Sequence, residues 1–240
     1  MSHVPFSKRA KVPRKVVVLT GAGISVASGL RPYRGPGGLW TANPELASRL
    51  VAGIDAEALW TVTGDWRKEL AGAEPNDAHR ALAAFEQHLL AQGGAFTLIT
   101  QNVDGLHSKA GSVNVVEFHG SLRRSRCSAA CGAESFLDQR TEGPAPRCVN
   151  CGAAIRPDII LFNELIGAFE DWSAKRALRD CDLFVAIGTS GTVSPASNFV
   201  RSAAYAGAHT VLVNLETSDS VPFAEIIRGD AQTLVPELFQ

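Results

Sequence analysis

The sequence predicts an α/β fold, a doubly wound parallel sheet with a smaller lobe beside it. Alternating strand and helix patterns predict the sheet, and two segments that interrupt them, about 35–72 and about 121–155, predict the lobe. The candidate strands are short runs rich in Val, Ile and Leu without clean alternation, which is typical of strands covered by helices on both faces. They comprise residues 16–20, 96–100, 113–118, 183–188 and 210–214.

Two of the intervening helices are marked by residues that favour helix ends. Within residues 76–93, Asn76 can cap the first turn, apolar residues recur every three or four positions, and Gly93 can end the helix. Pro195 opens the second helix, because proline suits a first turn, and Gly207 ends it.

The composition is that of an ordinary soluble globular protein. Of the 240 residues, 45% are apolar and 20% are charged, and the formal net charge is -1. The charge balance gives no electrostatic footprint for nucleic acid, and no apolar run reaches membrane-spanning length. We therefore expect a cytoplasmic protein without a nucleic-acid or membrane partner. The basic residues 1–14 are interpreted as a solvated, partly disordered tail.

Every candidate strand is followed by polar residues or glycine. The strand ends read TGAG, TQNVD, HGS, GTS and NLE in chain order. Because ligands of open α/β sheets bind beyond the carboxyl ends of the strands, the five endings are expected to converge on one crevice. Such a crevice indicates a binding or catalytic protein rather than a purely structural one.

The first strand end contains two glycines that suit a phosphate-binding loop. Gly21 and Gly23 follow a strand and precede a helical pattern, so the backbone can approach a pyrophosphate closely. The third glycine of a full dinucleotide fingerprint is missing, because Val26 occupies its position, and the lysine of a Walker loop is absent too. The motif alone leaves a nucleotide loop and a plain strand–helix turn open.

Two later strand ends offer further polar groups to a nucleotide. Glu216 can accept hydrogen bonds from ribose hydroxyls, although a plain surface carboxylate is equally compatible with its position. Gly188, Thr189 and Ser190 follow another strand, where they can donate to phosphate or merely terminate the strand.

Acid–base candidates also lie at strand ends. His107 and His119 follow strands that point to the predicted crevice, whereas the tail, capping, packing or exposure explains the other four histidines. His119 can act as a general base near neutral pH, and a merely hydrogen-bonded histidine is the alternative. Gln101, Asn102 and Asp104 supply amides and a carboxylate, which suit recognition of a carboxamide or a ribose.

Four of the five cysteines are spaced as in a structural zinc site. Three residues separate Cys127 from Cys131, sixteen follow, and two separate Cys148 from Cys151. Each close pair brings two thiolates around a tight turn, and the two pairs complete a tetrahedron for one Zn2+ ion. Four thiolates leave no open position, so the ion is expected to be structural. Cys181 precedes a buried strand and is interpreted as a small core residue.

Taken in order, these motifs resemble those of the sirtuins, the NAD-dependent protein-lysine deacylases. The matching segments are GAGISVASGLRPYRG, TQNVDGLH, FHGS, the four cysteines, RPDIILFNE, GTSGTVSPA and VNLE, and they run from Val16 to the C-terminus. The resemblance implies a Rossmann-like sheet with a smaller zinc-binding and helical lobe. It also implies NAD as co-substrate, one structural zinc ion and acyl-lysine proteins as substrates. We expect the protein to act as a monomer.

The resemblance also divides the chain into units. Residues 1–14 form the basic tail and 15–240 the catalytic domain. Within that domain the helical module covers about 35–72 and the zinc module about 121–155. The Rossmann-like core covers about 15–34, 73–120 and 156–240.

Functional roles are implied residue by residue. His119 is the expected general base, while Asn102 and Asp104 place water and the nicotinamide carboxamide. The acyl-lysine and its peptide backbone are expected to meet Ile160, Phe162, Asn163 and Val193. The metal ligands are Cys127, Cys131, Cys148 and Cys151. NAD is expected to contact Gly21, Ala22, Gly23, Ser25, Tyr33, Arg34, Trp40, Gln101, Asn102, Val103, Asp104, Gly188, Thr189, Ser190, Asn214, Leu215, Glu216 and Ala231.

The implied reaction transfers the acyl group from lysine to ADP-ribose. The acyl oxygen attacks the nicotinamide ribose carbon, and nicotinamide leaves. His119 then removes a proton from a ribose hydroxyl, which attacks the imidate, and water completes the reaction. The aromatic ring of Tyr33 and a narrow apolar tunnel are expected to exclude water from the positive ribose.

Departures from the family pattern bear on substrate choice. Tyr33 replaces the usual Phe, and Asn163 replaces the Gly of the peptide-binding strip. The subgroup that removes succinyl and malonyl groups reads the acyl carboxylate with a Tyr-x-x-Arg pair. Residues 60–70 contain no Tyr, and Trp66 lies near the position expected for Arg. Because an unpaired buried carboxylate is strongly destabilised, we expect acetyl-lysine, or longer neutral acyl groups, over succinyl-lysine.

Other functions stay open on the sequence alone. Cleavage of NAD with a different acceptor would make the protein a mono-ADP-ribosyltransferase. A non-catalytic NAD-sensing module is the second alternative, although it would not need His119. An NAD dehydrogenase is disfavoured, because the glycine fingerprint is incomplete and a closed cysteine site would have no catalytic role there.

Overall fold

Two sheets organise the chain in the computed structural model, which describes residues 4–32, 37–189, 196–216 and 222–240, without the side chains of Leu39 and Trp40. The strands are β1 (Lys15–Thr20), β2 (Ala95–Thr100), β3 (Val115–Glu117), β4 (Gly120–Cys127), β5 (Phe136–Leu137), β6 (Ile155–Ile159), β7 (Leu183–Ile187), β8 (His209–Asn214) and β9 (Glu225–Arg228). The α-helices are α1 (Leu39–Ala42), α2 (Pro44–Ala52), α3 (Ala56–Val62), α4 (Gly64–Gly72), α5 (Asp77–Ala91), α6 (Leu106–Lys109), α7 (Ala168–Leu178), α8 (Phe199–Tyr205) and α9 (Ala231–Leu238). Short 3-10 helices cover Phe6–Lys8, Ala22–Ser28 and Ala196–Asn198.

Six parallel strands form the larger sheet, in the order β3-β2-β1-β7-β8-β9. The chain builds outward from β1 to β3 and then crosses back to β7, so the strand order reverses between β1 and β7. Ligands of doubly wound sheets bind beyond the carboxyl ends at such a point. All five predicted strands are present, and the predicted fold class is confirmed. The sequence analysis misses β9, because half of this short strand is charged.

Helices cover both faces of the larger sheet. Val16 and Val18 pack against α5 and α9, whereas Val17 and Leu19 pack against α7 and α8. Every residue of β1 after Lys15 is buried. Burial on both faces therefore explains why the predicted strands read as continuous apolar runs.

Helix α5 begins where the sequence predicts. The Asn76 side chain accepts a hydrogen bond from the Ala78 N–H at 3.0 Å, and His79 Nδ1 accepts one from the Asn76 N–H at 3.3 Å. This capping box satisfies N–H groups that a first helical turn leaves without partners. Capping, one of the explanations given for His79, is therefore confirmed. The helix ends at Ala91, two residues before Gly93.

The basic N-terminal segment is anchored to the protein at Phe6 and Arg9, so the expectation of a solvated, partly disordered tail is wrong at these two positions, although most of the residues around them are exposed. Phe6 is fully buried, and its ring lies 5.0 Å from that of Phe239 in edge-to-face contact. Arg9 donates two hydrogen bonds to Glu225 of β9, at 2.7 and 3.0 Å. Burial of Phe6 and the ion pair between Arg9 and Glu225 therefore hold the segment against the folded core, although its other charged residues favour solvent.

Replacing Phe6 with Ala is expected to lower the free energy of unfolding by about 3–5 kcal/mol, because it leaves a cavity among packed aromatic rings. Urea unfolding followed by circular dichroism measures the loss. Val4→Ala is the matched control, since Val4 lies in the same segment and is 57% exposed. A loss below about 1 kcal/mol for Phe6→Ala would show that the segment contributes little to the folded core.

The smaller lobe combines α1–α4 with an antiparallel sheet of β5, β4 and β6. Trp60 of α3 joins its two parts, because the ring is buried beside Cys127 and Cys148. Its Nε1–H donates to the Gly143 carbonyl at 3.1 Å, and the Arg67 guanidinium lies 3.8 Å from the ring centroid. Among the residues described, no helix combines the length and apolar character needed to cross a membrane.

Candidate active site

The loops after β1 and β7 touch backbone to backbone where the strand order reverses. A Cβ atom on Gly21 would lie 2.7 Å from the Gly188 carbonyl oxygen, and one on Gly23 would lie 2.6 Å from the Gly188 Cα. Only glycine fits at either position, so the contact between the two loops requires both glycines. The Gly23 N–H donates to the Gly188 carbonyl at 2.9 Å. A 3-10 helix, Ala22–Ser28, stands where the sequence pattern suggests an α-helix.

A buried polar network lies beside the glycine loop. The Asn102 Nδ2 group donates to the Gly21 carbonyl at 3.1 Å and to Ser25 Oγ at 3.2 Å. Ser25 Oγ donates in turn to Asp104 Oδ2 at 2.7 Å. Asn102 Oδ1 is buried and has no hydrogen-bond partner within the part of the chain that the structure describes. Because an unpaired buried acceptor is costly, this atom is suited to a donor on a bound ligand.

Both oxygens of the Asp104 carboxyl are held by protein donors. The Leu106 N–H donates to Oδ1 at 2.9 Å, and Ser25 donates to Oδ2. Burial raises the pKa of Asp104 above its ordinary value, although these hydrogen bonds oppose the rise. The carboxyl group therefore has one fixed orientation at the wall of the crevice.

His107 does not face the crevice, contrary to the prediction, because α6 turns its ring into the core. The residue is 1% exposed, and its Nε2 lies 3.0 Å from Thr20 Oγ1. Its ring centroid lies 4.7 Å from that of His79, whose Nε2 is 3.5 Å from Ser25 Oγ. Burial lowers the pKa of both histidines, that of His79 to about 4. The two histidine rings are therefore neutral, and they pack against the buried polar network beside the glycine loop.

His119 lies two residues after the end of β3, where a neighbouring strand end sets the orientation of its ring. Its Nδ1 is 3.1 Å from the Gln101 carbonyl oxygen, an acceptor, so Nδ1 carries the proton and donates. Nε2 of the neutral ring then keeps the lone pair of a general base. Burial lowers the pKa of His119, which favours this neutral form. Gly120 is required behind the ring, because a Cβ there would lie 2.1 Å from the Asp158 carbonyl oxygen.

The ends of β7 and β8 continue the same edge of the sheet. Thr189 Oγ1 donates to Gln101 Oε1 at 2.8 Å, which joins the end of β7 to that of β2. Asn214 is the last residue of β8, and its Nδ2 donates to the Glu216 carbonyl at 2.7 Å. The two residues that follow Asn214 are exposed. Ala231, at the start of α9, is buried. These predicted contacts all lie at or just beyond the carboxyl ends of strands, except Ala231.

The segment after β6 runs beside His119. The Ile160 N–H donates to the His119 carbonyl oxygen at 2.9 Å, and Phe162 is 41% exposed. Asn163 has a φ of 68°, in the left-handed region that glycine favours and asparagine tolerates. Its Nδ2 donates to the Val51 carbonyl of α2 at 3.2 Å. Asn163 therefore adopts a conformation that suits glycine and adds a hydrogen bond to the helical part of the smaller lobe.

A cavity of about 50 Å³ lies between the glycine loop and α4. The network of Asn102, Ser25 and Asp104, called the Asn102 network below, forms its polar wall. The apolar wall is formed by Trp66, Leu70, Val103 and Leu122. The sequence analysis notes Trp66 and Val103 but misses Leu70 and Leu122. Leu70 has a detectable signal, because it lies four residues after Trp66 and so on the same face of a helix.

Several predicted contacts fall on residues that the structure does not describe. Tyr33 and Arg34 lie outside the described residues, as do Ser190 and Val193. Trp40 lies in α1, but its side chain is not described. The roles of these five residues stay predictions.

The four spaced cysteines converge in the smaller lobe. The Sγ atoms of Cys127, Cys131, Cys148 and Cys151 all lie within 4.8 Å of one another. Two of the contacts measure 3.5 and 3.6 Å. Sulfurs around a tetrahedral zinc ion with bonds of ~2.3 Å lie ~3.8 Å apart, so this donor set fits one zinc ion. Cys181 is buried outside the cluster, as predicted.

These features define a class of protein, the Rossmann-like α/β proteins with a four-cysteine lobe beside the carboxyl edge of the sheet. The model of the Sir2 family matches residues 21–195. An NAD-dependent protein deacylase of Thermus thermophilus is 42% identical over 229 residues, which cover 91% of this chain and 86% of that protein. An NAD-dependent protein deacylase of Escherichia coli is 40% identical over 237 residues, 94% of this chain and 81% of that protein. The chain belongs to the Sir2 family.

Solved structures show the same fold. The crystal structure of a Sir2 homologue–NAD complex matches with a TM-score of 0.80 at 33% identity, over 95% of this chain and 88% of that chain. A Sir2–p53 peptide–NAD+ structure matches with a TM-score of 0.70 at 28% identity, over 93% of this chain and 91% of that chain. The resemblance noted in the sequence is therefore confirmed.

Proposed function

We propose that the protein is an NAD-dependent protein-lysine deacylase, which removes acyl groups from lysine side chains and releases nicotinamide. The observation that carries the proposal is the placement of His119. Its Nε2 is available as a base at the edge of the sheet that also holds the glycine loops and the Asn102 network. A non-catalytic NAD sensor has no need of such a base. The Sir2 relatives named NAD-dependent protein deacylases support the same conclusion.

NAD fits the described residues on two grounds. Gly21, Gly23 and Gly188 bring two strand-end loops together where the strand order of the sheet reverses, which is where glycine-rich loops bind pyrophosphates, and the unpaired Asn102 Oδ1 suits the amide group of nicotinamide. When bound, NAD supplies the ADP-ribosyl group that accepts the acyl group. We assign the cofactor contacts to Gly21, Ala22, Gly23, Ser25, Gln101, Asn102, Val103, Asp104, Gly188, Thr189, Asn214, Leu215, Glu216 and Ala231, together with Tyr33, Arg34, Trp40 and Ser190.

His119 holds and moves the proton in this proposal. Nε2 accepts a proton from a hydroxyl group of the bound co-substrate, while Nδ1–H keeps its hydrogen bond to the Gln101 carbonyl. That carbonyl stabilises the imidazolium that forms, because its oxygen is the negative end of a dipole. The lowered pKa of His119 keeps the ring ready to accept the proton at neutral pH.

The acyl-lysine meets the segment after β6, through Ile160, Phe162 and Asn163, with Val193 as a further contact. The acyl group ends at the apolar wall of the cavity, where Trp66 stands near the position that the carboxylate-reading arginine occupies in the succinyl-removing subgroup. We therefore propose acetyl-lysine as the preferred substrate, over succinyl-lysine.

The remaining parts of the proposal concern organisation. Cys127, Cys131, Cys148 and Cys151 hold one structural zinc ion. The helical module covers about 35–72, the zinc module about 121–155, and the Rossmann-like core the rest of 15–240. The protein acts as a monomer in the cytoplasm on acyl-lysine proteins.

Mass spectrometry of matched acetyl-, succinyl- and long-chain acyl-lysine peptides tests the proposal. We expect acyl loss only in the presence of NAD, with one nicotinamide and one acyl-ADP-ribose formed for each lysine released. The acetyl peptide is expected to react with the highest kcat/KM.

Two outcomes contradict the proposal. ADP-ribosylated protein without acyl loss would indicate a mono-ADP-ribosyltransferase, and NAD binding without nicotinamide release would indicate a sensor. A succinyl peptide that reacts far better than the acetyl peptide would refute the acyl preference alone. Zinc content and circular dichroism of the same preparation establish that the protein is folded.

A further inference from the structure

We infer that the ion pair between Arg31 and Glu69 sets the charge selectivity of the cavity and excludes acyl groups that end in a carboxylate. The inference rests on the proposed function, because it concerns the acyl group accepted at that site. Both side chains line the cavity, and Arg31 Nη2 lies 2.7 Å from Glu69 Oε1. Neither residue belongs to the Tyr-x-x-Arg pattern of the succinyl-removing subgroup.

The charges around the cavity favour a neutral acyl group. Among the described lining residues, Arg31 is the one cation, and Glu69 and Asp104 are the carboxyl groups. The Arg31 guanidinium is already paired with Glu69. An acyl carboxylate would therefore meet two carboxyl groups and a cation whose charge is neutralised. Since the nearest charges repel it, the additional negative charge is unfavourable.

The position of the pair explains how it reaches the acyl group. Glu69 lies three residues after Trp66 on α4, so both side chains are on one face of the helix. Arg31 comes from the segment after the first glycine loop, and the pair thus closes one side of the cavity between core and helices. Its side chains are 46% and 43% exposed, so the pair contributes little to stability and can be altered without unfolding the protein.

The test compares succinyl- and acetyl-lysine peptides on Glu69→Gln, which removes a charge at constant size and frees Arg31 for an acyl carboxylate. We expect the ratio of kcat/KM, succinyl over acetyl, to rise roughly two- to fivefold. Arg31→Gln leaves Glu69 unpaired and is expected to lower the ratio. The double variant is expected to lie between the two single variants, because its cavity carries neither charge.

Glu57→Gln is the matched control. It breaks a similarly exposed ion pair in the same helical module, with Arg147 at 2.7 Å, away from the residues that line the cavity. The ratio for this variant is expected to equal that of the unaltered protein. A rise in Glu57→Gln as large as in Glu69→Gln would assign the effect to overall charge and overturn the inference.

A binding measurement separates this inference from the proposed function. The same peptides, labelled with a fluorophore, are titrated by anisotropy without turnover, which gives the ratio of their Kd values for each variant. Unchanged ratios of Kd and of kcat/KM in Glu69→Gln overturn the inference while deacylation of the acetyl peptide still supports the proposed function. If the unaltered protein deacylates no peptide, the proposed function fails, and the Kd ratio alone still decides the role of the pair.

Discussion

The His119→Ala variant is expected to lose about 10²–10⁴-fold in kcat for deacylation, while its Kd for NAD stays within about twofold of the parent value. The loss follows from removal of the only ring nitrogen whose lone pair faces the reaction in this proposal. NAD affinity survives, because the glycine loops and the Asn102 network do not depend on the imidazole. Steady-state kinetics with an acetyl peptide and calorimetric titration with NAD measure the two quantities.

His88→Ala serves as the control, because His88 is an exposed histidine of α5 and is not among the residues of the candidate site. Its kinetics and NAD affinity are expected to match those of the parent. Loss of NAD binding in His119→Ala, or deacylation at the parent rate, would count against the role of His119 as base.

The pH dependence of the parent provides a second measure of the same residue. Burial lowers the pKa of His119 from its ordinary value of 6.5, so the ring is neutral and basic throughout the neutral range. As pH falls through this lowered pKa, Nε2 becomes protonated and kcat/KM falls. We expect one acid limb with a midpoint below about 6.5. A midpoint clearly above that value would contradict the assignment.

Cys148→Ser is expected to abolish zinc binding and to lower the Tm by on the order of 10 °C. A serine hydroxyl is a poor ligand for zinc compared with a thiolate, and a three-thiolate site lacks the fourth donor of a structural centre. Zinc content by plasma mass spectrometry and Tm by differential scanning calorimetry are the measurements. Deacylation is expected to fall as well, because Trp60 of the helical module packs on Cys127 and Cys148.

Cys181→Ser is the matched control for zinc binding. Cys181 is buried outside the cluster, and a serine hydroxyl can donate to the Leu178 carbonyl that the thiol contacts at 3.8 Å. This variant is expected to keep one zinc ion per chain. Full zinc content in Cys148→Ser, or its loss in Cys181→Ser, would contradict the assignment of the metal ligands.

Features that depend on local sequence are predictable in this chain. The central strands β1, β7 and β8 are buried on both faces, so each one is a continuous apolar run, as at residues 16–20. The cysteine pairs are close in sequence, and the Asn76 cap lies directly before its helix. In each case the residues that determine the structure are neighbours along the chain.

Features that depend on distant contacts are not predictable in the same way. Phe6 is buried against Phe239 at the other end of the chain, and nothing near Phe6 indicates this contact. His107 and His119 occupy similar places after strands, but α6 turns only His107 into the core. Arg31 and Glu69 are separated by most of the helical module, so their pairing at the cavity requires the fold.

The ribbon of β4 and β6 connects the four-cysteine cluster with the candidate active site. β4 starts one residue after His119 and ends at Cys127. Because Gly120 pairs with Ile159 and Cys127 with Ile155, across a bulge in β4, the two ends of the ribbon lie only about 13 Å apart. This short ribbon therefore has the four-cysteine cluster at one end and His119 with the segment after β6 at the other. A substitution at the cysteine cluster therefore acts on the neighbourhood of His119 through one short ribbon, without touching the residues that line the crevice.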